Sequence, residues 1–146
     1  MADFLTPAQR SERMSRIKSR DTKPELVLRS AMHRKGFRFR INDTRLPGKP
    51  DIVFPKYRAA VFVHGCFWHR HPGCSVATTP KSNTAFWTEK FDRNVSRDAR
   101  SKEALEANGW RVFTVWECDL KSSVKVAQAA QQLAENLRAH SETVLD

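Results

Sequence analysis

Three cysteines and one histidine form the clearest chemical pattern in this sequence. Cys66, His71 and Cys74 lie in one short stretch, and Cys118 directly follows a predicted strand much further along the chain. Thiolates and imidazole are the ligands that hold Zn²⁺ tetrahedrally, and four protein ligands leave no open position for a substrate. The pattern therefore predicts a structural zinc site that clamps a long loop to the end of a strand. The alternative is that these are inert buried thiols.

Two carboxylates are candidates for a second, catalytic metal centre. Asp51 begins a predicted strand, and the next strand ends at His64. An acid at one strand end beside a polar group on its neighbour suits Mg²⁺, which prefers oxygen ligands and can help to activate water at a phosphate. Asp98 lies on a predicted inward helix stripe, where a carboxylate needs a partner. The simpler alternatives are that Asp51 is a turn or capping residue and that Asp98 pairs with Lys102.

His69 stands between two of the predicted zinc ligands, so that a bound zinc ion would hold its imidazole in place. The ordinary pKa of histidine suits a general base near neutral pH. His69 could instead be a solvated loop histidine. Either it or His64 could also replace His71 as the fourth zinc ligand, and the spacing alone leaves this open.

Two adjacent aromatic residues, Phe67 and Trp68, belong to the same loop, and Trp87 begins the next predicted helix. Aromatic side chains held rigidly can wedge between base pairs, and a mismatched step costs less to unstack. The alternative is that they cover the protein core. For Trp87 that alternative has a pattern behind it, because Trp87, Phe91, Val95 and Ala99 share helical spacing.

The elements that must position these residues follow from periodicity and turn signals. Helices are predicted over residues 22–35, 84–108 and 122–140, strands over 37–41, 51–54, 59–63 and 110–116, and an irregular loop over 65–83. The strands over 59–63 and 110–116 are expected to be buried. Thr22 is expected to cap the first helix, with Glu25 as the capping-box acid. The second helix is expected to point a stripe inward, formed by Phe91, Val95, Lys102 and Leu105. The third is expected to bury Val126, Ala130, Leu133 and Leu137. This order predicts one α/β domain with a mixed central sheet, over residues 21–146.

The charge of the chain points to nucleic acid. Its 146 residues carry a formal net charge of +10, and residues 1–20 form a basic arm with Met14 and Ile17 on one side. Such an excess of positive charge attracts polyanions. We find no apolar run of membrane-spanning length and no signal-peptide pattern, so we expect a cytoplasmic protein associated with the nucleoid.

Taken together, the motifs resemble those of the very-short-patch-repair (Vsr) mismatch endonucleases over about residues 10–120. The matching segments are Leu46-Pro47-Gly48-x-Pro50-Asp51, His64-Gly65-Cys66-Phe67-Trp68-His69-x-His71, Phe86-Trp87, Asn94-Val95, Gly109-Trp110-Arg111-Val112 and Val115-Trp116-Glu117-Cys118. The resemblance implies a restriction-endonuclease-like core, flanked by helices, and a monomer. It implies Mg²⁺-dependent nicking of duplex DNA 5′ of the thymine in a T·G mismatch, which starts repair of deaminated 5-methylcytosine. It also implies mismatch-repair proteins as partners.

The resemblance also implies roles for individual residues. Asp51 and the backbone carbonyl of Val63 would bind Mg²⁺, and His69 would be the general base. Other roles belong to sets of residues. The residues around the waters of the magnesium ion would be Glu25, His64 and Asp98. The zinc ligands would be Cys66, His71, Cys74 and Cys118. The DNA contacts would be Phe67, Trp68 and Trp87 in the major groove, Met14 from the minor groove, and Lys90 and Asn94 near the mismatched bases.

Two other functions remain compatible with the residues. One is a zinc-stabilised DNA-binding module without hydrolytic activity, which needs the charge, the wedge and the zinc site but not the acids. The other is a nuclease of the same fold with relaxed specificity. Cleavage of mismatched and perfect duplexes, with magnesium or with a chelator, distinguishes all three.

Overall fold

The computed structural model describes residues 22–75 and 77–144, so the predicted arm with Met14 lies outside the described residues. The order of elements is the predicted one. They are α1 (Lys23–Arg34), β1 (Arg40–Ile41), β2 (Ile52–Phe54), β3 (Ala59–His64), α2 (Thr84–Ala107), β4 (Arg111–Trp116) and α3 (Ser123–Val144). Short 3₁₀ turns follow β2 at Pro55–Tyr57 and β4 at Glu117–Leu120. Within the described ranges, no helix has both the length and the apolar character that crossing a membrane requires.

The strands form a mixed sheet in the order β1-β2-β3-β4, which confirms the predicted mixed sheet. The first three strands run antiparallel, whereas β3 and β4 run parallel and are paired from Ala59 opposite Arg111 to His64 opposite Trp116. A parallel pair needs a crossover connection, and here α2 is part of it. Because parallel strands end at the same sheet edge, the residues that follow β3 and β4 come together there.

The two faces of the sheet serve different purposes. On one face, Ala59 and Val61 of β3 join a core that contains Leu28 of α1 and Leu133 of α3. The predicted inward residues of α3 are confirmed, with Val126 half-buried at the margin. Since side chains alternate along a strand, Phe62 and His64 point to the other face, where they line a cavity together with residues of α2. The first face stabilises the fold, and the second holds polar side chains.

Two predictions about the strands are wrong in detail. The strand predicted over residues 37–41 pairs in the sheet at Arg40 and Ile41, and Ile41 is exposed. Phe37 is buried, but through ring contacts with Phe54 and Tyr57 rather than by strand pairing. The strand β4 was predicted to be buried. It lies at the edge of the described sheet, and Val115 is its one buried residue.

The predicted inward stripe of α2 is also wrong in its middle. Phe91 and Leu105 are buried, but Val95 is 45% exposed and Lys102 is exposed. The reason is that the middle of the helix lines an open cavity of about 280 Å³ instead of packing on the sheet. Helical spacing identified the face of α2 that is directed at the sheet but could not show that a cavity separates them.

Candidate functional site

The four predicted zinc ligands come together in the structure. The ligand atoms of Cys66, His71, Cys74 and Cys118 all lie within 4.8 Å of one another. His71 Nδ1 is 3.6 Å from Cys66 Sγ and 3.4 Å from Cys118 Sγ. Thiolate and imidazole donors at such distances could hold a metal ion, and the softness of the set suits zinc. The alternative of unrelated buried cysteines does not fit this convergence.

The parallel strand pair explains why residues so far apart in sequence meet. His64 and Trp116 are paired at the ends of β3 and β4, and Cys66 and Cys118 each follow by two residues. The loop then turns back, with the His71 amide donating to the Cys66 carbonyl at 3.0 Å. The His71 ring stacks on Trp116, with ring centroids 4.2 Å apart. Packing thus fixes the imidazole that faces the thiols.

The charge state of this cluster depends on what it binds. Burial raises the pKa of the Cys66 thiol to about 12, and hydrogen bonds from neighbouring thiols add to the effect although a backbone hydrogen bond opposes it. A buried thiol is therefore neutral at physiological pH when no cation is present. Metal binding would have to release its proton, which links metal affinity to pH.

His69 and Asp98 form a short hydrogen-bonded pair. His69 Nδ1 lies 2.6 Å from Asp98 Oδ2, and both side chains are about one third exposed. His69 is thus not a freely solvated loop histidine, and Asp98 pairs with His69 rather than with Lys102. When a carboxylate accepts a hydrogen bond from Nδ1–H, the other nitrogen of the ring, Nε2, is the one that can accept a proton.

The second histidine, His64, packs flat on His69. The ring centroids are 3.9 Å apart and the rings are nearly parallel, at 5°. The pKa of His64 is lowered to about 4, mainly by burial and also by the neighbouring His69, whereas Asp98 opposes the change. His64 is therefore neutral at physiological pH. Ligand atoms of His64, His69 and Asp98 also lie within 4.8 Å of one another, a second potential metal cluster that the sequence analysis did not identify.

Asp51 lies at the start of β2, next to the end of β3. Its Oδ2 accepts a hydrogen bond from the Val63 amide at 2.7 Å. Burial raises the pKa of Asp51 from 3.8 to about 7. The hydrogen bond from Val63 opposes this shift, and the nearby Glu25 carboxylate adds to it. A buried carboxylate in this state favours a cation beside it, and its oxygen chemistry suits Mg²⁺.

The remaining predicted acid, Glu25, is buried on α1 and pairs with Arg29 at 2.9 Å. Thr22 does not cap the helix through its side chain; its hydroxyl donates to Glu25 Oε1 at 3.2 Å. The capping prediction is thus wrong in geometry, and the charge of Glu25 acts on Asp51 instead. For Val63, the amide contacts Asp51, and the role of its carbonyl remains a prediction.

The aromatic residues of the loop and of α2 form one cluster. The Phe67 and Trp68 rings are 5.1 Å apart, Trp68 and Trp87 are 5.8 Å apart, and Phe67 packs on Phe91 at 5.1 Å. Phe91 is buried, whereas the other three are half-buried. The cluster thus packs on Phe91 and still offers aromatic surface to the outside, and its role as a wedge remains a prediction.

Lys90 and Asn94 both contact Trp68. The Lys90 ammonium lies 5.4 Å from the centre of the Trp68 ring, and the Asn94 amide donates to the Trp68 carbonyl at 3.2 Å. Asn94 therefore anchors the loop to α2, besides its predicted proximity to DNA. No motif marks the contacts of Arg70 or the stacking of Trp116 on His71, so neither could be predicted from the sequence.

The 280 Å³ cavity adjoins this site. Its walls include His64, His69 and Asp98 on one side and Thr114 of β4 on another. A larger cavity of about 570 Å³ lies between α1 and α3 and is lined by side chains of those helices and of the turn before α3. By size alone, the cavity between α1 and α3 would be the better candidate of these two for an active site. The chemistry favours the 280 Å³ cavity, because the hydrogen-bonded His69 and Asp98 line it.

Comparison with known proteins agrees with this geometry. The family model described as DNA mismatch endonuclease Vsr matches residues 2–75. The chain is 48% identical to the type II nicking enzyme V.XorIIP of Xanthomonas oryzae pv. oryzae, over 82% of this chain and 88% of that protein. It is 44% identical to the type II nicking enzyme V.NmeAIP of Neisseria meningitidis, over 94% and 98%. It is 45% identical to DNA mismatch endonuclease Vsr of Escherichia coli, over 89% and 83%. The chain belongs to the DNA mismatch endonuclease Vsr family.

Proposed function

We propose that this protein is a magnesium-dependent endonuclease that nicks one strand of duplex DNA 5′ of the thymine in a T·G mismatch. Such a nick would begin very-short-patch repair of deaminated 5-methylcytosine. The observation that carries the proposal is the short His69–Asp98 hydrogen bond, near the partly buried Asp51 that accepts a hydrogen bond from Val63 of β3. Membership in a family described as DNA mismatch endonucleases supports it. We further propose that the mixed sheet is a restriction-endonuclease-like core.

In this proposal His69 is the general base. Asp98 accepts a hydrogen bond from Nδ1–H, which leaves Nε2 to take a proton from the attacking water. The stacked, neutral His64 supports the His69 ring and keeps a second positive charge away from it.

Asp51 would hold the magnesium ion, together with the carbonyl of Val63. Glu25, His64 and Asp98 would surround the ion without binding it directly. When bound, Mg²⁺ would supply positive charge that offsets the charge developing on the scissile phosphate. The fit lies in the partly buried Asp51 carboxylate, whose pKa desolvation raises to about 7. A cation beside it would favour the charged form.

The cysteine and histidine cluster would bind zinc with a structural role. All four ligands come from the protein, which leaves no position for a reacting group. A bound ion would join the loop after β3 to the turn after β4 and so hold both His69 and the aromatic pair in place. Zinc is thus proposed as a support for catalysis, not as a participant.

Recognition of DNA would combine charge and an aromatic wedge. The half-buried Phe67, Trp68 and Trp87 would enter at the mismatched step, with Lys90 and Asn94 close to the bases. The arm, residues 1–20, would contact phosphates and bring Met14 to the minor groove, so that binding weakens with salt. We propose that the protein acts as a monomer near the nucleoid, with mismatch-repair proteins as partners.

One cleavage assay tests the proposal. End-labelled duplexes with a T·G pair, another mismatch or no defect are incubated with Mg²⁺ or with EDTA, and the nick is mapped to the nucleotide. We expect a magnesium-dependent nick 5′ of the mismatched thymine, lost in Asp51→Asn. DNA retention without any nick would instead support a binding module, and equal nicking of all duplexes would support a relaxed nuclease.

A further inference from the structure

Arg70 is the most highly connected side chain of the loop that follows β3. Its guanidinium donates to the carbonyls of Ala77 at 2.9 Å and Thr78 at 3.0 Å, and to Thr79 Oγ1 at 3.2 Å. It also donates to the carbonyl of Phe67 at 3.3 Å. One planar group thus joins the aromatic loop to the segment that follows Cys74. Such a fork of donors is specific to arginine.

The same guanidinium stacks on the aromatic cluster. Its central carbon lies 4.0 Å from the centre of the Phe91 ring and 5.8 Å from that of Phe67. Contacts of this kind stabilise by cation–π attraction and by packing of flat surfaces. The Arg70 backbone has a φ of +54°, in the left-handed region where an arginine is uncommon. The side-chain contacts therefore stabilise a loop conformation that the backbone alone would disfavour.

We propose that Arg70 is a positioning residue that braces Phe67 and Trp68 in the conformation that enters DNA. This inference rests on the proposed function. The terminal guanidinium nitrogens already donate to protein oxygens, so Arg70 acts through the wedge and not through a phosphate. Arg70 donates to the carbonyl of Phe67, and Asn94 donates to the carbonyl of Trp68, so the backbone of each aromatic residue is held by a hydrogen bond.

The test uses Arg70→Lys, which keeps the charge but loses the fork and the flat stacking surface. The matched control is Arg138→Lys on α3, where the guanidinium carbon lies 4.9 Å from the Phe37 ring, on the core face of the sheet. A milder variant, Thr79→Ala, removes one contact of Arg70. The probe is a T·G duplex with 2-aminopurine beside the mismatch, whose fluorescence rises when a wedge unstacks it.

We expect Arg70→Lys to weaken the fluorescence rise at saturating protein and to lower the ratio of T·G to T·A cleavage by roughly tenfold or more, because wedge placement is lost. Thr79→Ala should give a smaller change in the same direction. The zinc content should stay that of the parent protein. In Arg70→Gln, the salt dependence of binding to a perfect duplex should also stay unchanged, whereas removing a phosphate contact would reduce its slope by about one.

Several results would overturn the inference. Fluorescence and cleavage ratios of Arg70→Lys equal to those of Arg138→Lys would show that the brace is dispensable. Loss of zinc in proportion to activity would show a role in folding the loop rather than in placing the wedge. A reduced salt slope in Arg70→Gln would mark a phosphate contact. If the parent protein brightens the probe but cuts no duplex, the proposed function fails, and the fluorescence of the Arg70 variants still decides the present inference.

Discussion

Replacing Asp51 with asparagine should abolish nicking and at the same time stabilise the magnesium-free protein at alkaline pH. The carboxylate is largely buried, and its described hydrogen bond is the one from the Val63 amide. Asparagine keeps the shape and an oxygen that can accept that bond. What it removes is the negative charge that the proposed function assigns to binding magnesium. Activity and stability should therefore change in opposite directions.

The size of the effect follows from the pKa. Burial raises the pKa of Asp51 from 3.8 to about 7, so the folded chain binds this proton more tightly than the unfolded chain does. The protonated Asp51 therefore contributes fully to the free energy of unfolding below pH 3.8, and this contribution is lost as the pH rises to about 7. At about 1.4 kcal/mol per pH unit, the full loss is about 4 kcal/mol, an upper limit. The gain in Asp51→Asn should thus be near zero at low pH and reach a few kcal/mol above pH 7.

Urea denaturation between about pH 5 and about pH 8, without magnesium, measures this difference. Because the pKa of His64 is lowered in the folded protein, its titration changes stability with pH in the opposite direction. Both proteins contain His64, so this contribution cancels in the stability difference between them. Asp43→Asn is the matched control, because a hydrogen bond from Arg45 lowers the pKa of Asp43, and its loss should destabilise the protein at neutral pH. Added Mg²⁺ should stabilise the parent protein but not Asp51→Asn. A difference between the two proteins that does not grow with pH would refute this reasoning.

Further variants test other parts of the structure. Gly48→Ala should destabilise the fold by about 2–4 kcal/mol, measured by urea denaturation, because φ is +74° and the new Cβ would lie 2.6 Å from Ser101. Cys118→Ser should lose bound zinc, measured by elemental analysis, and should unfold at a lower temperature. Asp98→Asn should reduce the nicking rate, at most by the 10²–10⁴-fold typical of losing a general base, because His69 is no longer held in the proton-accepting form. Its DNA affinity should not change.

Each of these has a contradicting outcome. Gly36→Ala shares the positive φ but meets nothing within 4 Å, so it should cost less than Gly48→Ala, and equal losses would exclude a steric contribution. Full zinc content in Cys118→Ser would exclude this thiol as a ligand. For Asp98→Asn, an unchanged nicking rate at saturating DNA would show that the short hydrogen bond has no catalytic role.

Much of the site could be predicted from the residues themselves. Ligand chemistry is local, so the types and spacing of Cys66, His71 and Cys74 predicted a metal-binding loop, and the structure brings these residues together in a cluster that could hold a metal ion. The periodicity of α3 identified its buried face, since one side of an amphipathic helix must pack on a core. The alternation of turn signals and apolar runs predicted the order of elements and a mixed sheet.

Which side chains contact each other was decided only by the tertiary structure. Periodicity shows which way a side chain points but not what it meets, so it could not pair Asp98 with His69 instead of Lys102. It could not show that the middle of α2 borders a cavity, or that β4 is an edge strand. The contacts of Arg70 join three separate parts of the chain, and no local pattern encodes them. Such contacts depend on distances between elements, which are set by the packing of the whole chain.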